Sequence, residues 1–190
     1  MNKSPYFHPS RGVTLLELII AIVIMGILAI SGSEMLSKSF SITKNSDEEN
    51  RAYSESRYAL DRLANEIREI NYPTVTTGPC TANQYCIYAP VSFTAPTTPY
   101  VLAPSKNFSF YKGVSNQDVN ISMVGNTLNI NSYPLLSNVS SVNFTFYDAS
   151  LSNSAPTKIN LKYVVIVINM APPNSPSFTL RTRVALRNSG

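Results

Sequence analysis

The sequence predicts an α+β fold, in which a long N-terminal helix with a membrane-spanning first half packs on a C-terminal antiparallel β-sheet domain. Three observations predict it. Residues 13–30 form an apolar run. No proline occurs between Arg11 and Asn71, so one helix can continue from this run to about Ile70. After Pro73, short segments alternate apolar and polar side chains, which is the period of half-buried strands.

The apolar run is long enough to cross a membrane, because its 18 residues would form roughly 27 Å of helix. Two cations, Lys3 and Arg11, precede the run, and the next charge after Glu17 is Glu34. Cations on the N-terminal side keep that side in the cytoplasm. We therefore predict a transmembrane helix at residues 13–33, with everything after it exported.

Glu17 is an acid inside this apolar run, where a charge costs on the order of 3 kcal/mol. No Lys or Arg lies within the run to pair with it. Two explanations remain open. Glu17 lies near the cytoplasmic end, so it can extend to the lipid headgroups. Alternatively, cleavage after Gly12 would free a cationic α-amine at Val13, and that amine would be the partner.

A sequence motif spans the start of the run, where Gly12 is followed by Val13-Thr14-Leu15-Leu16-Glu17-Leu18-Ile19. It resembles the class III signal of type IV prepilins and type II secretion pseudopilins, although Val13 replaces the usual Phe or Met. The resemblance implies that residues 1–12 are a leader removed by prepilin peptidase and that Val13 is then N-methylated. Methylation would retain the charge that Glu17 needs. Gly12 and Val13 are thus the processing residues, and Glu17 is the assembly residue.

Two other interpretations of the segment remain. Ala29-Ile30-Ser31 could be the cleavage site of an ordinary secretory signal, in which case the whole apolar run would be removed. Such a signal has a shorter core than this one, and it has no reason to carry Glu17. The segment could also be a plain signal anchor in which Gly12 is incidental.

Residues 34–72 are predicted to be an amphipathic continuation of the helix. Past Phe40, residues 43–50 are polar on all sides. An apolar stripe then returns, formed by Leu60, Leu63, Ile67 and Ile70, with Tyr53 aligned upstream. Arg62 and Glu66 can pair on the opposite face, at about 0.2–0.5 kcal/mol for such a pair.

Residues 73–190 are predicted to be a β-rich exported domain. Its first part, 73–105, is rich in proline and reads as loops. The side chains predicted to share buried strand faces are Phe108 and Phe110; Val119, Ile121 and Met123; Leu128 and Ile130; Val142, Phe144 and Phe146; and Leu180, Thr182, Val184 and Leu186. Gly125-Asn126 would turn between two strands. The continuous apolar run Tyr163–Ile168 indicates a strand covered on both faces.

Four segments of the chain also resemble the larger minor pilins, at residues 60–68, 142–148, 163–168 and 183–188. That group includes pseudopilin J of type II secretion, the W-type minor pilin and minor pilin O of mannose-sensitive haemagglutinin pili. The resemblance implies the pilin-like layout, a long N-terminal helix followed by an antiparallel sheet.

Cys80 and Cys86 are the two cysteines of the chain. An even count in an exported protein predicts a disulfide, and the small loop it closes would contribute about 2–3 kcal/mol. Metal binding is the weaker alternative, because the one histidine, His8, lies in the leader and no acid lies between Pro73 and Lys112.

The chemistry of an enzyme is missing from the sequence after the leader. That part has no histidine, no Gly-x-Ser-x-Gly motif and no phosphate-binding glycine loop. After Asn71 its acids are Asp118, interpreted as a turn residue, and Asp148. We predict no catalytic residues, no cofactor and no metal. Lys3 and Arg11 of the leader supply +2 of the net charge of +4, and the +2 that remains is too small to indicate nucleic acid binding. The basic strand 181–187 is interpreted as a solvated face.

The resemblance therefore implies a structural subunit of a type IV pilus or a type II secretion pseudopilus, with an initiating or tip position favoured by the domain's length and its loop-rich 73–105 segment. Its partners would be other pilin or pseudopilin subunits, the prepilin peptidase and methyltransferase, and the inner-membrane assembly platform. It would be a single-pass inner-membrane protein with a periplasmic domain before it enters a filament. An adhesin or another ligand-binding domain, including a DNA-binding one, on the same anchor is the alternative of a different class.

Overall fold

The computed structural model describes residues 12–76, 78–90, 98–104, 106–113, 115–151, 156–173 and 175–187. The chain forms two compact units, Met1–Ser46 and Asp47–Gly190. Helix α1 (Leu15–Arg68) begins in the first unit and ends in the second. Residues 1–11 of the predicted leader lie outside the described residues, as do several positions in the predicted 73–105 loop segment.

The second unit contains nine strands in its described residues, all paired antiparallel. The strands are β1 (Ile87–Ala89), β2 (Tyr100–Val101), β3 (Phe108–Lys112), β4 (Gln117–Val124), β5 (Thr127–Ile130), β6 (Tyr133–Leu136), β7 (Val139–Tyr147), β8 (Tyr163–Met170) and β9 (Phe178–Ala185). They form a five-stranded sheet in the order β1-β3-β4-β5-β6 and a four-stranded sheet in the order β2-β7-β8-β9.

One hydrophobic core joins the last turns of α1 to both sheets. The helix residues in this core are Ala59, Leu60, Leu63, Ala64 and Ile67, and Ser56 and Glu66 of the helix are buried as well. Phe108 of β3 connects the two sheets, because its ring lies 4.6 Å from that of Phe144 in β7. Within its own strand, its ring lies 5.3 Å from that of Phe110. Aromatic pairs at such distances contribute beyond the area they bury.

The α+β prediction is confirmed, since one long apolar N-terminal helix packs on antiparallel sheets. Where a single sheet was expected, the structure has two. The alternating strands lie where the pattern placed them, and Gly125 has a φ of 58° between β4 and β5, as the first residue of a type II′ hairpin turn requires. The strand β8 is less covered than expected: Val165 is buried, but Tyr163 and Val167 on the same face are only half-buried.

The pair formed by Arg62 and Glu66 also differs from the prediction. The two residues do pair, with Arg62 Nη2 2.7 Å from Glu66 Oε1. However, Glu66 is only 5 % exposed, and Lys112 of β3 also binds it. The helix face opposite the apolar stripe is therefore partly buried at this turn, and the pair is part of the packing between α1 and the first sheet.

Candidate functional site: the start of the apolar helix

The helix begins immediately after the candidate processing residues. Gly12, Val13 and Thr14 precede it, and the backbone N–H of Glu17 donates a hydrogen bond to the hydroxyl of Thr14 at 3.3 Å. The N–H of Leu18 donates to the carbonyl of Thr14 at 3.2 Å. Thr14 is thus the N-cap of α1, and Glu17 is its third helical residue, which is the spacing of a capping box.

This cap gives Thr14 a structural role that the sequence analysis missed, and it places Glu17 in the first turn of the helix. The spacing Thr-x-x-Glu before an apolar run was the available signal. An acid in the first turn also interacts favourably with the positive end of the helix dipole. Any test of Glu17 must therefore separate its contribution to the helix start from a contribution to contacts with other molecules.

Gly12 has no steric reason to be glycine within the described chain. A Cβ at this position would meet no heavy atom within 4 Å, and Val13 beside it is 70 % exposed. A requirement for glycine here must come from another molecule that holds the backbone closely. A protease cleft is one such environment, because the missing Cβ lets the backbone approach.

The surface of the helix after this start is apolar and uncovered. Its most apolar 18-residue window has a mean hydropathy of 2.6 and is 0 % buried, so the described chain has one helix that could cross a membrane by length and composition. Side chains from Leu15 (79 % exposed) to Ile30 (69 %) present this surface. An apolar patch of this size belongs in lipid or against other apolar helices.

Glu17 is the one charged side chain between Gly12 and Ser33, and it is exposed. Its own segment therefore offers no cationic side chain as a partner. The α-amine that cleavage after Gly12 would create lies at Val13, one helical turn before Glu17. The structure is of the uncut chain, so the predicted roles of Gly12, Val13 and Glu17 stay predictions.

Cys80 and Cys86 form a disulfide with a Cα–Cα distance of 5.2 Å. Two backbone hydrogen bonds, from the middle and from the C-terminal end of the loop between them, attach it to residues 71–73. The N–H of Asn83 donates to the carbonyl of Pro73 at 2.8 Å, and the N–H of Cys86 donates to that of Asn71 at 2.9 Å. The disulfide loop is thus fixed to the segment that leaves α1.

The two acids after Asn71 occupy separate places. The prediction that Asp118 is a turn residue is wrong, because it lies in β4. Its carboxylate accepts a hydrogen bond from the hydroxyl of Tyr88. Asp148 accepts hydrogen bonds from the N–H and hydroxyl of Ser150, at 3.0 and 2.7 Å. Among the residues that the structure describes, no group of three His, Cys, Asp or Glu side chains could hold a metal ion.

Comparison with known proteins agrees with the geometry of the N-terminus. Residues 8–33 match the prokaryotic N-terminal methylation motif. No curated protein and no solved structure matches the chain significantly. The motif supports a type IV pilin-like protein, and such a motif implies processing by prepilin peptidase and assembly with other pilin subunits. Together with the apolar helix, it supports membrane anchoring near the N-terminus.

Proposed function

We propose that this protein is a minor pilin or pseudopilin, a non-catalytic structural subunit of a type IV pilus or a type II secretion pseudopilus. The observation that carries the proposal is the coincidence of features at one helix start. A glycine that the chain itself does not need precedes an exposed apolar helix, whose only charge before Ser33 is Glu17. The methylation motif covers the same residues.

The processing step follows from this arrangement. Prepilin peptidase cuts the peptide bond after Gly12, and the mature chain begins at Val13. The nitrogen of Val13 changes from an uncharged amide to an amine that is cationic near neutral pH. N-methylation of that amine retains its charge.

The new amine is the proposed partner of Glu17. In a bundle of packed apolar helices, the Glu17 carboxylate of one subunit meets the amine of its neighbour or of its own chain. An unpaired charge in such surroundings costs several kcal/mol, so only helix offsets that pair both charges are favourable. The pair therefore selects the axial register of the subunits as well as contributing affinity.

Before assembly, the same helix holds the protein in the inner membrane. Lys3 and Arg11 keep the N-terminus in the cytoplasm, and the second unit lies in the periplasm. The subunit then leaves the membrane for the filament, where neighbouring apolar helices replace lipid around residues 15–30. The assembly platform and other pilin subunits are its partners in that step.

An initiating or tip position fits the chain better than a bulk position along the shaft. The support is the size of the second unit, which has two sheets and a disulfide loop. Quantifying the subunits in purified filaments tests this point. A few copies per filament agree with the proposal, and abundant copies along the shaft overturn the minor role.

Mass spectrometry of the mature N-terminus tests the function itself. We expect a chain that begins with N-methylated Val13. A chain that begins at Gly32 instead would show an ordinary secretory signal, and the filament proposal would fail.

A further inference from the structure

A cleft of about 300 Å³ opens beside the disulfide loop of the second unit. The side chains that matter for its chemistry are Thr81, Gln84, Tyr88, Tyr111 and Lys158. They come from the disulfide loop, from β1, from β3 and from the segment before β8. The volume is at the small end of ligand pockets, enough for one ring with its substituents.

The backbone around the cleft is held in place from several directions. The N–H of Tyr111 donates to the carbonyl of Cys86 at 2.9 Å, and the N–H of Tyr85 donates to that of Lys158 at 2.8 Å. The disulfide closes the loop between Cys80 and Cys86. The cleft is therefore preformed, and a ligand would not have to order its walls.

Two tyrosines provide the aromatic side of the cleft. The rings of Tyr88 and Tyr111 lie 5.2 Å apart, and Tyr88 remains 40 % exposed. The hydroxyl of Tyr88 donates to the carboxylate of Asp118, which fixes the ring. Burial, together with this hydrogen bond, raises the pKa of Tyr88 to about 12, so the ring stays uncharged at any physiological pH. Such a ring accepts the apolar face of a ligand.

Lys158 provides a cation. Its side chain is partly buried, and this burial lowers its pKa. Among the described residues, no carboxylate lies within ion-pair distance of its ammonium group. Residues 71–190 contain seven Lys and Arg against two acids, and the acid nearest in the contacts of the cleft, Asp118, is bound to the hydroxyl of Tyr88. A ligand carboxylate beside Lys158 would offset the cost of burying its charge.

We propose that this cleft binds a saccharide that carries a carboxylate, of the hexuronate type. One face of the sugar ring packs on Tyr88 and Tyr111, and the side chains of Thr81 and Gln84 hydrogen-bond its hydroxyl groups. Lys158 pairs with the carboxylate. A sugar acid fits because it combines an apolar ring face, polar edges and one negative charge. The inference does not depend on the proposed filament role.

The test is calorimetric titration of the full mature chain in detergent with galacturonate, and with galactose as the neutral counterpart. We expect galacturonate to bind at least ten-fold more tightly than galactose. Lys158→Met and Tyr88→Ala should each raise the Kd for galacturonate about ten-fold or more. The matched controls are Lys106→Met and Tyr133→Ala, which remove an exposed lysine and an exposed tyrosine outside the cleft and should leave the Kd unchanged.

Three results overturn the proposal. The first is no binding of galacturonate to wild-type chain whose disulfide is intact by mass. The second is an equal loss of affinity in the control variants. The third is binding of a small dicarboxylate such as succinate as tightly as galacturonate, because this would show recognition of a carboxylate without a sugar. Circular dichroism of each variant separates a lost ligand contact from a lost fold. None of these three results bears on the proposed filament role, because methylation of Val13 is measured independently of sugar binding.

Discussion

Lys112 Nζ lies 2.5 Å from Glu66 Oε2, and this ion pair joins the last turns of α1 to β3. Both side chains are mostly buried, with Lys112 the more exposed of the two at 18 % of its side chain. The same region carries backbone contacts, since the N–H of Asn71 donates to the carbonyl of Tyr111 at 2.9 Å. The buried charge pair and these bonds together fix where the helix ends on the first sheet.

Lys112→Met should destabilise the second unit by about 3 kcal/mol, because it leaves the buried Glu66 carboxylate with only one cation. Arg62 is 53 % exposed, so Arg62→Met should cost less. Thermal unfolding of the full mature chain in one detergent measures both. The control is Arg51→Met, which breaks an exposed pair with Glu55 and should change little. Equal effects of Lys112→Met and Arg51→Met would contradict the interpretation.

The Glu66 cluster shows which contacts the sequence could not predict. Arg62 and Glu66 are one helical turn apart, so their pairing follows from helix geometry. Lys112 is 46 residues from Glu66, and only the packing of β3 against α1 brings them together. The burial of Glu66 depends on the same packing. The spacing of apolar residues along the helix therefore could not predict it.

The sequence analysis predicted no strand at the positions of β1, β2 and β6, and the cause is related. β1 and β2 have three and two residues, too short for any alternation to be recognised. β6 contains Pro134, which argues against a central strand but is tolerated here because β6 lies at the edge of its sheet. Asp118 resembled a turn residue because polar side chains begin β4, and its partner Tyr88 is 30 residues away. Long alternating segments were predictable, and residues defined by long-range pairing were not.

Tyr88 should titrate well above an ordinary tyrosine. Its folded pKa is about 12, against about 10 in an unfolded chain. The neutral form is thus favoured by folding, so this contribution to stability is complete below pH ~10 and is lost as the pH rises towards ~12. The difference in tyrosinate absorbance between wild type and Tyr88→Phe should show one group with a midpoint near 12. Asp118→Asn should lower that midpoint, and a wild-type midpoint near 10 would reject the assignment.

Loss of the disulfide should destabilise the second unit by about 2 kcal/mol, the chain-entropy value for so small a loop. Cys80→Ser with Cys86→Ser, compared with wild type by thermal unfolding, measures this loss. Wild-type chain freshly isolated from the envelope should not react with an alkylating reagent until it is reduced. Free thiols in that material would contradict the pairing.

Gly12→Leu should leave an intact precursor in the membrane. The reason is steric: the side chain meets nothing within the chain itself, so the obstruction arises only in a protease cleft. Mass spectrometry of the membrane fraction distinguishes precursor from mature protein. Gly26→Leu is the control, since a side chain there also meets open space and lies away from the cleavage site. Normal processing of Gly12→Leu would show that cleavage does not require a glycine at position 12.

Glu17 allows its two possible roles to be separated by choice of substitution. Glu17→Gln keeps a residue that can complete the capping box with Thr14, but it removes the charge. Glu17→Leu removes both, and it should insert into the membrane at least as well as wild type because a costly charge is gone. If Glu17 pairs with the amine of Val13, both variants should be processed and stable, yet both should enter filaments poorly. If it serves only as a cap, Glu17→Gln should assemble like wild type, and only Glu17→Leu and Thr14→Ala should show a defect.

Glu34→Gln is the matched control, because Glu34 is an exposed acid of the same helix beyond the apolar run. The measurement is the amount of each variant in purified filaments relative to its amount in the membrane. Full assembly of Glu17→Leu would show that Glu17 only extends to the headgroups, and the pairing would be wrong.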